Sequence, residues 1–235
     1  MFQWMRSISS RFGGLDSTNP QHQSFMRQLQ KDVKAEQPLQ KSLSSLNVTV
    51  LDLETSGFNA DAGDRILSMG AIKIKHNRLV RDDAFYTLVD EPEAVSPEVS
   101  EVTGLTAEEL EEDGQSISEA LEQFYQFAQA DILVAHHASH ERKFLQKYTY
   151  RTMGTNLQHR LLDTSFVFSI AAPDFEFRSL DDCCNYYDIP IKGRHNALGD
   201  AIMAAELWTR SIQTVQELGY ETLQDVYAHL SHRRR

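Results

Sequence analysis

The stretch VTVLDLETSG, residues 48–57, constrains the fold of this chain more than any other segment. Its first residues are β-branched or aliphatic, which is typical of a buried strand. Asp52 and Glu54 follow two positions apart, and alternate residues of a strand point to the same face. The sequence therefore predicts two carboxylates side by side where a buried strand ends, just before a turn at Ser56 and Gly57.

Two carboxylates held this close repel each other unless a positive charge lies between them. Because the ligand atoms are oxygens, a hard divalent cation is favoured, and Mg²⁺ or Mn²⁺ fits best. The motif by itself also fits two other interpretations, which are a pair of solvated acids and a phosphatase-type loop. The second acid of such a loop is usually aspartate, however, and the later motifs of the chain do not fit it.

Composition is that of a globular protein with one substantial core. Of 235 residues, 41% are hydrophobic and 24% are charged. The net charge of −11 argues against a large basic surface for duplex DNA, but not against a small acidic pocket whose metal ions meet phosphate. Cys183 and Cys184 are adjacent, so they are expected to be reduced, and they are too few for a zinc site.

Nothing in the sequence predicts contact with a membrane. No apolar run approaches the ~20 residues that a membrane-spanning helix needs. The first residues lack the continuous apolar segment and the small-residue cleavage site of a secretory signal. We therefore expect a cytoplasmic protein that does not bind membranes.

The patterns along the chain predict an extension followed by one domain. Residues 1–45 are rich in Gln, Ser and Lys and contain one amphipathic stretch, which predicts a partly helical N-terminal extension. From 46 to 232, three closely spaced strand patterns precede alternating helix and strand patterns. This order predicts an α/β domain with a mixed β-sheet flanked by helices, in which the first three strands form an antiparallel meander.

Two later segments add acids to the first motif. Glu141 falls in the first turn of a predicted helix, where the helix dipole favours a carboxylate. Asp200 lies about one and a half turns after His195, among small and apolar neighbours that deprive an acid of water. Taken singly, a solvent-facing Glu141, a surface His195 and a helix-surface Asp200 are acceptable interpretations. Their occurrence together is harder to explain in that way.

Together, LDLETSG, LVAHHASHERKFL and HNALGDA resemble the three exonuclease motifs of the DEDD superfamily, in its histidine-bearing (DEDDh) branch. The pattern is similar to that of the epsilon proofreading subunits of bacterial DNA polymerase III, over residues 47 to 210. The resemblance implies a ribonuclease-H-like fold and a centre that binds two divalent metal ions, Mg²⁺ or Mn²⁺. The metal ligands that it implies are Asp52, Glu54, Glu141 and Asp200.

The resemblance also implies roles in proton transfer and substrate binding. His195 would be the general base, because an imidazole exchanges protons near neutral pH. The terminal nucleotide would contact residues directly after the first motif, namely Thr55, Ser56 and Phe58. For Phe58, a place in the core or in a lid is an equally good interpretation.

Glu141 departs from the family pattern. The family has Asp at this position, commonly within Asn-x-x-Phe-Asp, and the matching residues here are His137, His140 and Glu141. Glutamate keeps the charge but adds a methylene group. It therefore either reaches the second ion or misplaces it and slows the reaction.

The implied activity is that of a metal-dependent 3′-to-5′ exonuclease. It would act on single-stranded or frayed DNA ends, or on RNA ends, and release nucleoside 5′-monophosphates. The implied partners are these 3′ ends and a separate DNA polymerase or repair complex, because the chain has no recognisable polymerase domain. Two alternatives stay open: an oligoribonuclease-like enzyme that degrades short RNA, and a nucleic-acid-binding module whose catalysis is weakened by Glu141.

Overall fold

The computed structural model describes residues 20–175 and 179–233. Residues 1–19 of the predicted extension lie outside this description. The amphipathic stretch that follows them forms helix α1, Pro20–Ala35. Its residues Met26 and Leu29 are buried against the rest of the molecule.

The strands of the described residues form one mixed sheet, and their bounds are β1 (Val48–Thr55), β2 (Ile66–Lys75), β3 (Arg78–Leu88), β4 (Ile132–Ala135) and β5 (Leu161–Asp163). Their order across the sheet is β3-β2-β1-β4-β5. The first three strands form the predicted antiparallel meander. β4 and β5 then continue the sheet parallel to β1.

The burial of each strand follows from its place in the sheet. β2 is buried at every position except the last, Lys75, because side chains cover both of its faces. β3 lies at the edge and is mostly exposed or half-buried. Continuous burial of the central strands and a polar edge are what a sheet covered on both faces requires.

Further helices surround the sheet: α2 (Pro97–Thr103), α3 (Ala107–Asp113), α4 (Ile117–Ala128), α5 (Ser139–Met153), α6 (Ser165–Ala171), α7 (Leu180–Tyr186), α8 (Ala197–Glu217) and α9 (Leu223–Arg233). A capping box at Thr106 starts α3, and α4 and α7 begin in the same way. Within the described part of the chain, no helix combines the length and the apolar character that a membrane crossing requires.

Two hydrophobic clusters fill the space on the two faces of the sheet. One contains Phe168 and Trp208, from α6 and α8, together with both cysteines of α7. The other contains Phe124 and Phe144, from α4 and α5, and also receives α1. The alternating residues of β1 divide between the two clusters, as the period of a strand requires.

The first turn of α8 packs directly onto β2, and this contact positions the site described below. Gly70 lies under that turn, where an added Cβ atom would collide with the backbone of Ala197 and Leu198. Gly70 is also the register partner of Asp52 on β1. The missing side chain therefore allows the start of α8 to lie over the acidic end of β1.

Candidate active site

Asp52 and Glu54 lie near the C-terminal end of β1, opposite Gly70 and Ser68 of β2. Asp200 reaches them from the first turn of α8. One carboxylate oxygen from each of the three acids lies within 4.8 Å of the others. Residues that are separated by almost 150 positions in the sequence thus meet in one cluster, which we call the acidic cluster: Asp52, Glu54 and Asp200.

Local hydrogen bonds hold Asp200 at the beginning of its helix. The side chain of Asn196 accepts a hydrogen bond from the backbone N–H of Gly199 at 3.1 Å and so caps α8. Asp200 accepts hydrogen bonds from the guanidinium of Arg194 and, at 3.2 Å, from the backbone N–H of His195. Its carboxylate is almost completely buried.

Glu141, in the first turn of α5, is only 3% exposed, and its charge acts on Asp52, but it is not one of the acids whose oxygens lie within 4.8 Å of one another. The interpretation of Glu141 as a solvent-facing residue is therefore wrong. Asp163, at the end of β5, accepts hydrogen bonds from the backbone N–H groups of Ala138 and Ser165, at 2.7 and 2.9 Å. The first of these bonds ties the loop before α5, and so the start of the helix that carries Glu141, to β5, and the second ties Asp163 to the start of α6.

The carboxyl groups of the site resist ionisation. Desolvation, and next the charges on Glu141 and Glu54, raise the pKa of Asp52 well above its usual value. Burial, and next the charge on Asp200, raise the pKa of Glu54 to about 7. Burial, together with the charges on Asp163 and Glu54, raises the pKa of Glu141 to about 8. These shifts are expected when several acids share one poorly hydrated space.

The donor set of the site fits divalent metal ions. All the donors are carboxylate oxygens, which hard cations such as Mg²⁺ and Mn²⁺ prefer. Among the described residues, the buried oxygens Glu141 Oε2 and Asp200 Oδ1 have no hydrogen-bond partner. Because buried polar atoms are normally paired, each of them has a free position for a ligand. A cation placed here would also reverse the repulsion that raises the pKa values.

His195 directly precedes the capping residue of α8. Its backbone lies in the left-handed region, with φ of 60°, and its N–H binds Asp200. The imidazole is exposed to solvent. The structure thus places the predicted base on the segment that holds Asp200, with a ring that substrate can approach.

The loop between β1 and β2 follows the two acids of β1 and presents an exposed aromatic ring. Phe58 is 88% exposed, so its interpretation as a core residue is wrong. Its ring lies edge-on to that of His140, with 5.8 Å between centroids. The Thr55 hydroxyl donates to the carbonyl of Gly57 at 2.7 Å and also lies 3.2 Å from His140 Nε2. The hydroxyl of Ser56 accepts a hydrogen bond from the N–H of Arg65 at 2.9 Å, which closes the loop.

Reasoning from sequence did not find Arg194, which binds Asp200, or Asp163, which accepts a hydrogen bond from the N–H of Ala138. It named His140 only as part of the motif around Glu141 and did not predict its contact with Thr55. The available signals were weak. Arg194 directly precedes His195, and Asp163 ends a predicted strand. Neither position indicates which distant side chain the residue contacts.

A mixed sheet in this order, with an acidic cluster built from β1 and α8 at one end, is an arrangement of the ribonuclease-H-like fold class. The chain belongs to the exonuclease family RNase_T, whose family model matches residues 49–208. The predicted fold and the predicted family are therefore confirmed.

Two relatives of the chain agree with this assignment. The DNA polymerase III subunit epsilon-like protein of Rhodobacter capsulatus is 32% identical over 190 residues, which cover 80% of this chain and 26% of that protein. The DNA polymerase III PolC-type of Caldanaerobacter subterraneus subsp. tengcongensis is 29% identical over 184 residues, which cover 78% of this chain and 13% of that protein. The chain thus spans about a quarter or less of the length of these relatives.

The fold is shared with a solved structure of exonuclease X in complex with 5′ overhanging duplex DNA. The TM-score is 0.58 at 19% sequence identity, and the match covers 76% of this chain and 97% of the other. At this identity the similarity establishes the common architecture.

Proposed function

We propose that this chain is a metal-dependent 3′-to-5′ exonuclease that hydrolyses single-stranded or frayed DNA ends and releases nucleoside 5′-monophosphates. The observation that carries the proposal is the acidic cluster, with three carboxylate oxygens within 4.8 Å of one another. The preference for DNA is supported by the DNA polymerase III relatives and by the DNA bound to exonuclease X.

Two Mg²⁺ or Mn²⁺ ions are the cofactors that we propose, with Asp52, Glu54, Glu141 and Asp200 as ligands. When bound, such ions acidify the attacking water and stabilise the leaving oxygen of a phosphodiester. The bare buried oxygens of Glu141 and Asp200 support this ligand set. Asp163 accepts a hydrogen bond from the N–H of Ala138 and so fixes where α5 begins. In our proposal this position of α5 accommodates the additional methylene of Glu141.

His195 is the group that we propose as general base. Its exposed imidazole can take a proton from water at the cluster and pass it to solvent. Its backbone bond to Asp200 keeps the base and the metal ligand at a constant separation.

Thr55, Ser56 and Phe58 are proposed to receive the terminal nucleotide. The exposed ring of Phe58 offers a stacking face, and such stacking is worth ~1–3 kcal/mol per base. The hydroxyls of Thr55 and Ser56 act mainly by keeping the loop in the shape that presents this ring.

The decisive experiment uses a single strand labelled at its 5′ end, incubated with Mn²⁺ or with a chelator. We expect a ladder that shortens from the 3′ end only when metal is present. Asp52→Asn and Asp200→Asn should abolish it, whereas Asp83→Asn, which changes an exposed acid of β3, should not. Full activity of Asp52→Asn in a clean preparation would end the assignment.

Two comparisons separate the alternatives from this proposal. Faster cleavage of an RNA dinucleotide than of a long DNA strand would favour the oligoribonuclease-like enzyme. A large gain in activity for Glu141→Asp would favour the weakened binding module. Similar rates for the wild type and the Glu141→Asp variant would instead show that the glutamate is a competent ligand.

The wider setting is also a proposal. The polymerase III relatives support a DNA polymerase or repair complex as partner. Cys183 and Cys184 are buried and form no disulfide, which supports a reducing compartment such as the cytoplasm. We keep residues 1–45 as an extension and 46–232 as the exonuclease domain, since the family match begins at residue 49.

A further inference from the structure

Arg194 places its guanidinium between two carboxylates of very different exposure. Its Nε donates to Asp181 of α7 at 2.6 Å, and its Nη1 donates to Asp200. The side chain of Asp181 is 44% exposed, whereas that of Asp200 is 7% exposed. The arginine is thus anchored at the rim of the site and directs its second donor into the acidic cluster.

The backbone around Arg194 holds this arrangement. Gly193 and His195, on either side of it, both lie in the left-handed region, with φ of 66° and 60°. The carbonyl of Gly193 accepts a hydrogen bond from the N–H of Asn196 at 3.2 Å, and there is no room for a side chain on Gly199 next to that carbonyl. The loop is therefore closely packed on the start of α8, so the position of the arginine is built into the fold.

The charge of Arg194 acts on the acids that face it. It favours the ionised forms of Asp52 and Glu54, in opposition to the desolvation that disfavours them. On Asp200, the guanidinium holds Oδ2, while the buried Oδ1 has no hydrogen-bond partner among the described residues. The arginine and a divalent cation would therefore bind the same carboxylate.

We propose that Arg194 is a built-in counter-ion that competes with the divalent cation for Asp200, and that Asp181 retains the arginine at the rim once the cation binds. This inference rests on the proposed function, in which the acidic cluster is the metal centre. When no metal is present, the charge of the arginine reduces the repulsion among the acids and so stabilises the folded chain. Because it occupies Asp200, it also weakens the binding of the metal.

Removal of Arg194 distinguishes this competition from a purely structural role. If Arg194 only clamped the loop to α7, its removal would disorder Asp200 and weaken metal binding. If it competes with the metal, its removal frees Asp200 Oδ2 and strengthens metal binding. The metal-free protein should at the same time become less stable, because the acids lose their neutralising charge.

The test is an electron paramagnetic resonance titration of free Mn²⁺ with the 235-residue chain, combined with thermal unfolding without metal. Arg194→Gln is expected to bind Mn²⁺ about ten-fold more tightly, within the ~5- to 150-fold range typical of coupling between two ligands. Its Tm without metal should be lower than that of the wild type, and saturating Mn²⁺ should reduce the difference. Arg81→Gln is the matched control. Arg81 also pairs with a carboxylate of α8, that of Glu206, but this pair lies on the surface.

Arg194→Lys is a second variant that retains the positive charge but lacks the two separate donors of the guanidinium, so its Mn²⁺ affinity should lie between those of the wild type and Arg194→Gln. If Arg194→Gln binds Mn²⁺ as tightly as the wild type or more weakly, the proposal that Arg194 competes with the cation is refuted. A folded wild type that binds no Mn²⁺ would instead overturn the metal centre itself, which is a distinguishable result.

Discussion

Gly70 is the position where the packing of the domain acts most directly on the acidic cluster. A Cβ atom at this residue would lie 2.2 Å from backbone atoms of Ala197 and Leu198, whereas ordinary contacts begin at 3.4 Å. Because the obstructing atoms belong to the backbone, no side-chain rotation relieves the overlap. The first turn of α8, which carries Asp200, has to move by about 1 Å in Gly70→Ala.

We expect Gly70→Ala to lower kcat by about 100-fold, because an error of about 1 Å in placing a reacting group costs roughly that factor. The free energy of unfolding should fall by about 1–3 kcal/mol through overpacking. The assay measures kcat and KM on a 5′-labelled single strand in Mn²⁺, with Tm measured on the same preparations.

Gly219→Ala is the matched control for this prediction. Gly219 has φ of 91° and follows the other end of α8, with nothing within 4 Å of an added Cβ atom. Its substitution should cost about 1 kcal/mol of stability through backbone strain and leave kcat unchanged. A folded Gly70→Ala variant with the kcat of the wild type would refute the reasoning that this contact positions Asp200.

Substrate stacking, the titration of the acids and one buried ion pair can each be tested separately. Phe58→Ala should raise KM for single strands by about 5- to 150-fold with little change in Tm, because stacking is worth ~1–3 kcal/mol and the ring is 88% exposed. An unchanged KM would remove Phe58 from the substrate site. The pKa values of Glu54 and Glu141 are raised to about 7 and about 8, so the stability that their protonation provides is complete below pH ~4.5 and is lost as pH rises through these values. Mn²⁺ should therefore raise Tm more at pH ~8.5 than at pH ~6, and an equal rise at both would contradict this sign. Lys73→Met should lower the free energy of unfolding in urea by about 3–5 kcal/mol, because the carboxylate of Asp131, 11% exposed, loses the cation of its ion pair. The double variant Lys73→Met, Asp131→Asn should regain most of this stability. If it does not, the lost stability comes from packing and not from the ion pair.

Much of the fold follows from local patterns. The three strands of the meander, the capping box at Thr106 and the long helix after His195 depend on residues close to one another in sequence. Such features have short-range causes: the period of the side chains, and a hydroxyl that caps a helix three residues away. The family motifs then add the expectation that separate acids converge.

The burial of Glu141 and the exposure of Phe58 do not follow from local patterns. Both residues lie in segments whose composition allows either environment. Glu141 is buried because the loop before α5 is tied to Asp163, 22 positions further along the chain. Phe58 is exposed because hydrogen bonds between Ser56 and Arg65 close the loop beneath it.

Asp52 and Glu54 lie side by side for a reason that the sequence contains, because a strand repeats every two residues whatever surrounds it. The contact of Asp200 with them has a tertiary cause, since it depends on a helix that approaches β2 closely where Gly70 has no side chain. The tertiary structure also decided that Arg194 meets Asp200, since the conformation of the loop sets the direction of the guanidinium. Contacts of this kind depend on the whole packing arrangement, which no short segment encodes.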